Sequence, residues 1–125
     1  MSRLFAMAVP VLPGKEQEWR QFASELKDHH YEDFQASRRN LGVRERTFLQ
    51  ETPMGTLVIV TLEGENPEQA FAEFSKGTDA FTKWFMESVQ RIHGLDLSSP
   101  PPGPMPGLFI DSGPVETFAS APMPN

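Results

Sequence analysis

Two strand-length segments of this chain are apolar at both parities, and that property restricts the folds open to it. In residues 3–12 (RLFAMAVPVL) Phe5, Met7 and Val9 alternate with Leu4, Ala6 and Ala8; in residues 56–63 (TLVIVTLE) Val58, Val60 and Leu62 alternate with Leu57 and Ile59. Successive side chains of a strand point to opposite faces, so a strand with no polar parity needs cover on both. Helices on one face of a sheet leave the other open, and an open apolar face of roughly several hundred Å² is more than a monomer ordinarily exposes. The pattern predicts helices on one face and a second copy of the chain on the other, two sheets packed about a two-fold axis.

The remaining elements follow from changes of period. Trp19, Phe22, Ala23, Leu26, His30 and Phe34 recur at helical spacing after Pro13, which predicts a long amphipathic helix stopping at Leu41-Gly42, with Arg38 and Arg39 in a last turn that favours cations. Weak helix formers at Asp28-His29-His30-Tyr31 mark a kink or break in it. Residues 43–52 (VRERTFLQET) form a strand joined to residues 56–63 through the β-turn sequence Thr52-Pro53-Met54-Gly55. Asn66 caps a helix with Pro67 in its first turn, running to Gly77. Thr78 or Asp79 caps another, whose stripe is Phe81, Trp84, Phe85, Val89 and Ile92 and whose end is Gly94.

A chain of 125 residues with ten Phe and two Trp supports one domain with a small aromatic core. The folded unit is predicted over residues 1–97. Residues 98–125 hold eight of the twelve prolines and form an extended tail in which Leu108-Phe109-Ile110 is expected to add a short strand. A net charge of -6 disfavours nucleic acid and anionic membrane partners. The absence of cysteine removes disulfides, thiolate chemistry and Cys-ligated metals. With no signal-peptide pattern and no apolar run of about 18 residues, a cytoplasmic location is the expectation.

Strand, helix, two-strand hairpin, helix pair and short strand make an α+β, ferredoxin-like β-α-β-β-α-β order. That order, the long first helix, the TPxG hairpin and the closing His93-Gly94-Leu95-Asp96-Leu97 motif resemble the dimeric α/β-barrel superfamily over residues 3–97, and within it a group of small uncharacterised bacterial proteins. The resemblance implies a homodimeric barrel. Its activities are diverse, from antibiotic-biosynthesis-type monooxygenases and haem-degrading enzymes to chlorite dismutase relatives, sugar mutarotases and stress-responsive proteins, so chemistry must be argued from the residues.

His30 shares the apolar stripe of the long helix and is a candidate base or ligand; the alternative is a core-edge imidazole bonded to a backbone carbonyl. His93, in a last helical turn before glycine, is a candidate base or haem ligand, or a cation favoured there by the helix dipole. Tyr31, Trp84 and Phe85 are candidates to line a pocket. Arg44 and Arg46 share a strand face with Phe48 and Gln50, and would hold a carboxylate or enolate if that face looked inward, or pair with glutamates if it looked outward. The three histidines lack metal-ligand spacing, and no phosphate loop, G-x-S-x-G or dinucleotide fingerprint occurs, so neither metal nor cofactor is expected.

Two classes of function remain. In one, a pocket binds a small apolar or aromatic metabolite and, if catalytic, runs cofactor-free oxygenation or isomerisation with a histidine base; haem binding is its variant. In the other, the domain is a non-catalytic dimerisation or interaction module.

Overall fold

The computed structural model describes residues 2–101 and 103–113 and is α+β. In chain order the elements are β1 (Arg3–Pro10), α1 (Glu16–His29), α2 (Tyr31–Leu41), β2 (Val43–Thr52), β3 (Gly55–Gly64), α3 (Pro67–Phe74) and α4 (Ala80–His93). The three strands form one sheet in the order β1-β3-β2. Both outer strands pair antiparallel with β3 and therefore run parallel to each other, a split β-α-β arrangement.

The register lays the inward side chains in rows: Phe5, Leu62 and Glu45; then Met7, Val60 and Thr47; then Val9, Val58 and Leu49. Phe5, Val58 and Leu62 are buried, which identifies this as the face beneath the helices. The opposite parity carries Leu4, Ala6, Ala8, Ile59 and Phe48, and here Leu4 is 59% and Phe48 54% exposed. No described element covers that face.

Local chemistry explains most element ends. The expected long helix is broken in two at His30 (φ -128°), which closes α1 through its own N–H to the Glu25 carbonyl and precedes α2. Asn66 accepts from the Gln69 N–H, and Asp79 accepts from the Thr82 N–H at 3.1 Å, each satisfying an otherwise unpaired amide of a first turn. Gly94 ends α4 at φ 69°, a left-handed conformation that a side chain would strain. Gly64 has a different reason: a Cβ there would lie 2.3 Å from the Gly42 carbonyl oxygen, so only glycine lets the α2–β2 turn close on β3. α3 stops at Phe74, short of the expected Gly77, because the chain tightens there: Ser75 keeps right-handed helical backbone, but the Lys76 and Gly77 N–H groups bond three residues back, to the Glu73 and Phe74 carbonyls.

The expected strand at Leu108-Phe109-Ile110 does not form. These residues join no ladder and are 76%, 95% and 87% exposed, so the sheet has three strands among the described residues. Proline at 104 and 106 deprives the preceding segment of N–H donors, which hinders docking on the β1 edge.

α4 is anchored at the end of β1. The Leu12 N–H donates to the Ile92 carbonyl at 2.9 Å, and Ile92, 1% exposed, packs with Val11 and Val58. An aromatic group joins α1, α3 and α4: Phe22 stacks on Trp84 at 5.1 Å, and Phe85 meets Phe22 and Phe74 edge-on at 5.4 and 5.2 Å.

Candidate functional site

α1 buries no residue completely, although its apolar stripe faces the sheet. The reason is a cleft of ≈ 330 Å³ between them. Its floor is Met7, Val9, Val58 and Val60; Trp19, Phe22 and Leu26 of α1 form its roof. A volume near the low end of the roughly 300–1,000 Å³ typical of ligand pockets, with apolar walls and few polar groups, suits one small molecule.

The two ends of the cleft differ chemically. At the Phe5–Leu62–Glu45 row, Arg38 donates from Nε to Glu45 Oε1 at 2.7 Å, with both side chains under a tenth exposed (9% and 8%). Its Nη1 donates to Ser37 Oγ at 2.9 Å, and Thr47 donates to the other Glu45 oxygen at 3.2 Å. The guanidinium carbon lies 4.7, 4.6 and 5.0 Å from the ring centres of Phe34, Phe74 and Phe85, so three aromatic rings surround the cation. Arg38 and Glu45 both line the cleft, as does Lys27 of α1, for which no described residue provides an ion-pair partner.

The other end holds His93. Its Nδ1 lies 2.9 Å from the Pro10 carbonyl oxygen, which can only accept, so Nδ1 carries the proton and Nε2 the lone pair. Burial pushes the imidazole below the ordinary histidine value, and the bond to Pro10 offsets this only in part. His93 is therefore neutral near pH 7. Pro10 stands five residues along β1 from Phe5, about 17 Å at the rise of a strand, so the ion pair and the imidazole mark opposite ends of one apolar cleft.

Of the residues the sequence singled out, His93 and Phe85 line this cleft. His30 lies instead against Trp84, rings stacked at 4.1 Å and 27°, because the break between α1 and α2 turns it onto α4; neither His30 nor Trp84 lines the cleft wall. Tyr31 does not line this cleft and stands 50% exposed in the first turn of α2. Arg44 and Arg46 do not line it either, and their outward alternative is the one realised. Their parity on β2 faces away from the helices, where Arg46 pairs with Glu63 at 2.9 Å and Arg44 stands opposite the same glutamate in register.

Arg38, Glu45 and Lys27 were not foreseen as site residues. The signal was present: Arg38 follows Phe34 by four residues on the stripe that also carries His30, and Glu45 has the strand parity opposite to Arg44 and Arg46. No group of three or more His, Asp or Glu among the described residues is arranged to hold a metal ion, and no helix among them is long and apolar enough to cross a membrane.

Comparison with known proteins yields no relative: no family model, no curated protein and no solved structure matches this chain.

Proposed function

We propose that the cleft between sheet and helices binds one small apolar or aromatic molecule, in a chain that works as a pair of copies joined through the helix-free faces of their sheets, as in dimeric α/β-barrel proteins. One observation carries the binding reading: α1 leaves its apolar stripe only half-buried, Trp19 and Phe22 reaching the Val11–Val58–Ile92 core while ≈ 330 Å³ of space remains between Trp19, Phe22, Leu26 and Val60. Interiors are normally close-packed, and apolar walls held apart across such a cleft forgo dispersion contacts that a bound molecule would restore.

The pairing reading draws on the other face. Leu4, Ala6, Ala8, Ile59 and Phe48 form an apolar patch with no described cover, beside Arg44 and the Arg46–Glu63 pair on the same face, and a second sheet stacked there would cover the patch of each copy at once. If the bound molecule is turned over, His93 is the base: neutral, fixed in one tautomer by Pro10, and on the cleft wall. Proton transfer within the substrate, as in an isomerase, or proton removal that prepares a substrate for oxygen, are the reactions this single base supports.

Native mass spectrometry of the full chain, before and after denaturation, tests both readings. The expected result is a dimer that releases a small molecule on unfolding, or binds one when offered. A monomer contradicts the pairing, and a chain that takes up no apolar ligand contradicts the binding.

A further inference from the structure

Granting that the cleft holds a small molecule, we propose that this molecule is an amphipathic anion, an apolar or aromatic body ending in a carboxylate, with the charged end set between Arg38 and Lys27. The proposal rests on the placing of charge. The chain as a whole carries -6. The cleft wall nonetheless holds two cations, Lys27 and Arg38, against one carboxylate, Glu45, with His93 neutral.

The two cations stand at the same end. α1 begins where β1 finishes and runs back over the sheet, so its last turns, with Lys27, reach the level of Phe5 and Glu45. There Glu45 is fully engaged, one oxygen by Arg38 Nε and the other by Thr47, and its charge is offset by Arg38. Arg38 is engaged only in part: Nε serves Glu45 and Nη1 serves Ser37, while Nη2 has no acceptor among the described residues. A guanidinium held by Glu45 on one edge and ringed by Phe34, Phe74 and Phe85 is oriented before any ligand arrives. An anionic oxygen is the natural complement to its free donor, and Lys27 supplies the second positive charge on a flexible stem.

The other end of the ligand is fixed by the walls. Val9, Val60, Phe22 and Leu26 offer no hydrogen bond from their side chains and Met7 only a weak acceptor, so the body in contact with them is apolar, and its far end approaches His93. A free inorganic anion fills only the polar end, and a neutral hydrocarbon leaves Arg38 Nη2 unpaired.

Binding of 3-phenylpropanoate and of its neutral primary amide, followed by calorimetry on the full chain, separates charge from shape. The acid is expected to bind about tenfold or more tightly than the amide, the scale of one charge-assisted hydrogen bond. Lys27→Met should narrow that ratio about threefold, in proportion to a more exposed charge. The double variant Arg38→Met/Glu45→Leu, which removes the ion pair without stranding either partner, should abolish the preference for acid over amide. Equal binding of acid and amide to the wild type overturns the carboxylate assignment and leaves the apolar cleft standing. A preference for acid that survives in both variants also overturns it, by placing the anion elsewhere. Failure of both compounds to bind at millimolar concentration overturns the assignment together with the cleft reading beneath it.

Discussion

Arg38 and Glu45 meet at 2.7 Å with both side chains withdrawn from water, one from the last turns of α2 and the other from the third residue of β2. The pair ties helix to sheet across the short turn at Gly42. Such a pair stabilises little relative to an apolar replacement, because desolvation offsets most of the attraction, whereas breaking it strands a charge. Arg38→Met alone should lower stability by about 3–5 kcal/mol, while Arg38→Met/Glu45→Leu should fall within about 2 kcal/mol of wild type. Urea unfolding of the three proteins distinguishes these outcomes, and equal losses in single and double variants would contradict them.

Thr61 Oγ1 is buried without a hydrogen-bond partner among the described residues. Thr61→Val keeps the shape and removes the unpaired hydroxyl, so it should stabilise the fold by about 1 kcal/mol. A loss of stability in thermal unfolding would show that the hydroxyl has a partner in solution.

His93 gives stability a pH dependence whose sign is fixed. Its folded value is lowered, so in the range below the ordinary 6.5 the unfolded chain binds the proton that the folded chain resists. The stabilisation is complete above that value and declines as pH falls from it toward the lowered folded value, with a slope of at most about 1.4 kcal/mol per pH unit. His93→Asn, which keeps a donor for Pro10, should flatten that part of the profile. Unfolding measured from pH 7 to pH 5 reads the difference, and parallel curves would contradict it.

The Asp79 cap predicts a separate effect. Its carboxylate accepts from the Thr82 hydroxyl and N–H, and these bonds hold it below its ordinary 3.8. Asp79→Ala should cost about 1 kcal/mol at neutral pH, a difference that vanishes in acid once the wild-type carboxyl is protonated through its lowered value. A penalty unchanged at low pH would show that the loss comes from packing of α4 instead of the cap.

Sequence patterning located the helices and strands because their ends are written in local chemistry: Asn66, Asp79, Gly94, the Thr52–Gly55 turn and the weak helix formers around His30. It did not tell which face of the sheet looks inward. Phe5 and Leu4 are equally apolar, and only the helices above decide that Phe5 is buried and Leu4 exposed. The same ambiguity concealed the site. Arg38 belongs to a helix end where cations are ordinary, and its burial depends on Phe74 and Phe85, far away in sequence. The cleft itself is a missing volume between α1 and the sheet, which no pattern along one segment records. His93, in contrast, was visible from its place in the last turn, although its bond to Pro10 depends on tertiary contact.

Pairing through the open face gives another expectation. Phe48→Lys/Ile59→Lys alters only the helix-free side of β2 and β3, and should turn a dimer into a monomer in sedimentation at micromolar concentration. A wild-type chain that already sediments as a monomer would contradict the pairing.

Occupancy of the cleft is read most directly by a methyl-resolved NMR titration of the full chain with 3-phenylpropanoate. Saturable shifts are expected at Met7, Val9, Leu26, Val58 and Val60, which line the cleft, with Leu4 and Ile59 on the opposite face unmoved. Shifts confined to Leu4 and Ile59, or none at saturating ligand, would contradict it.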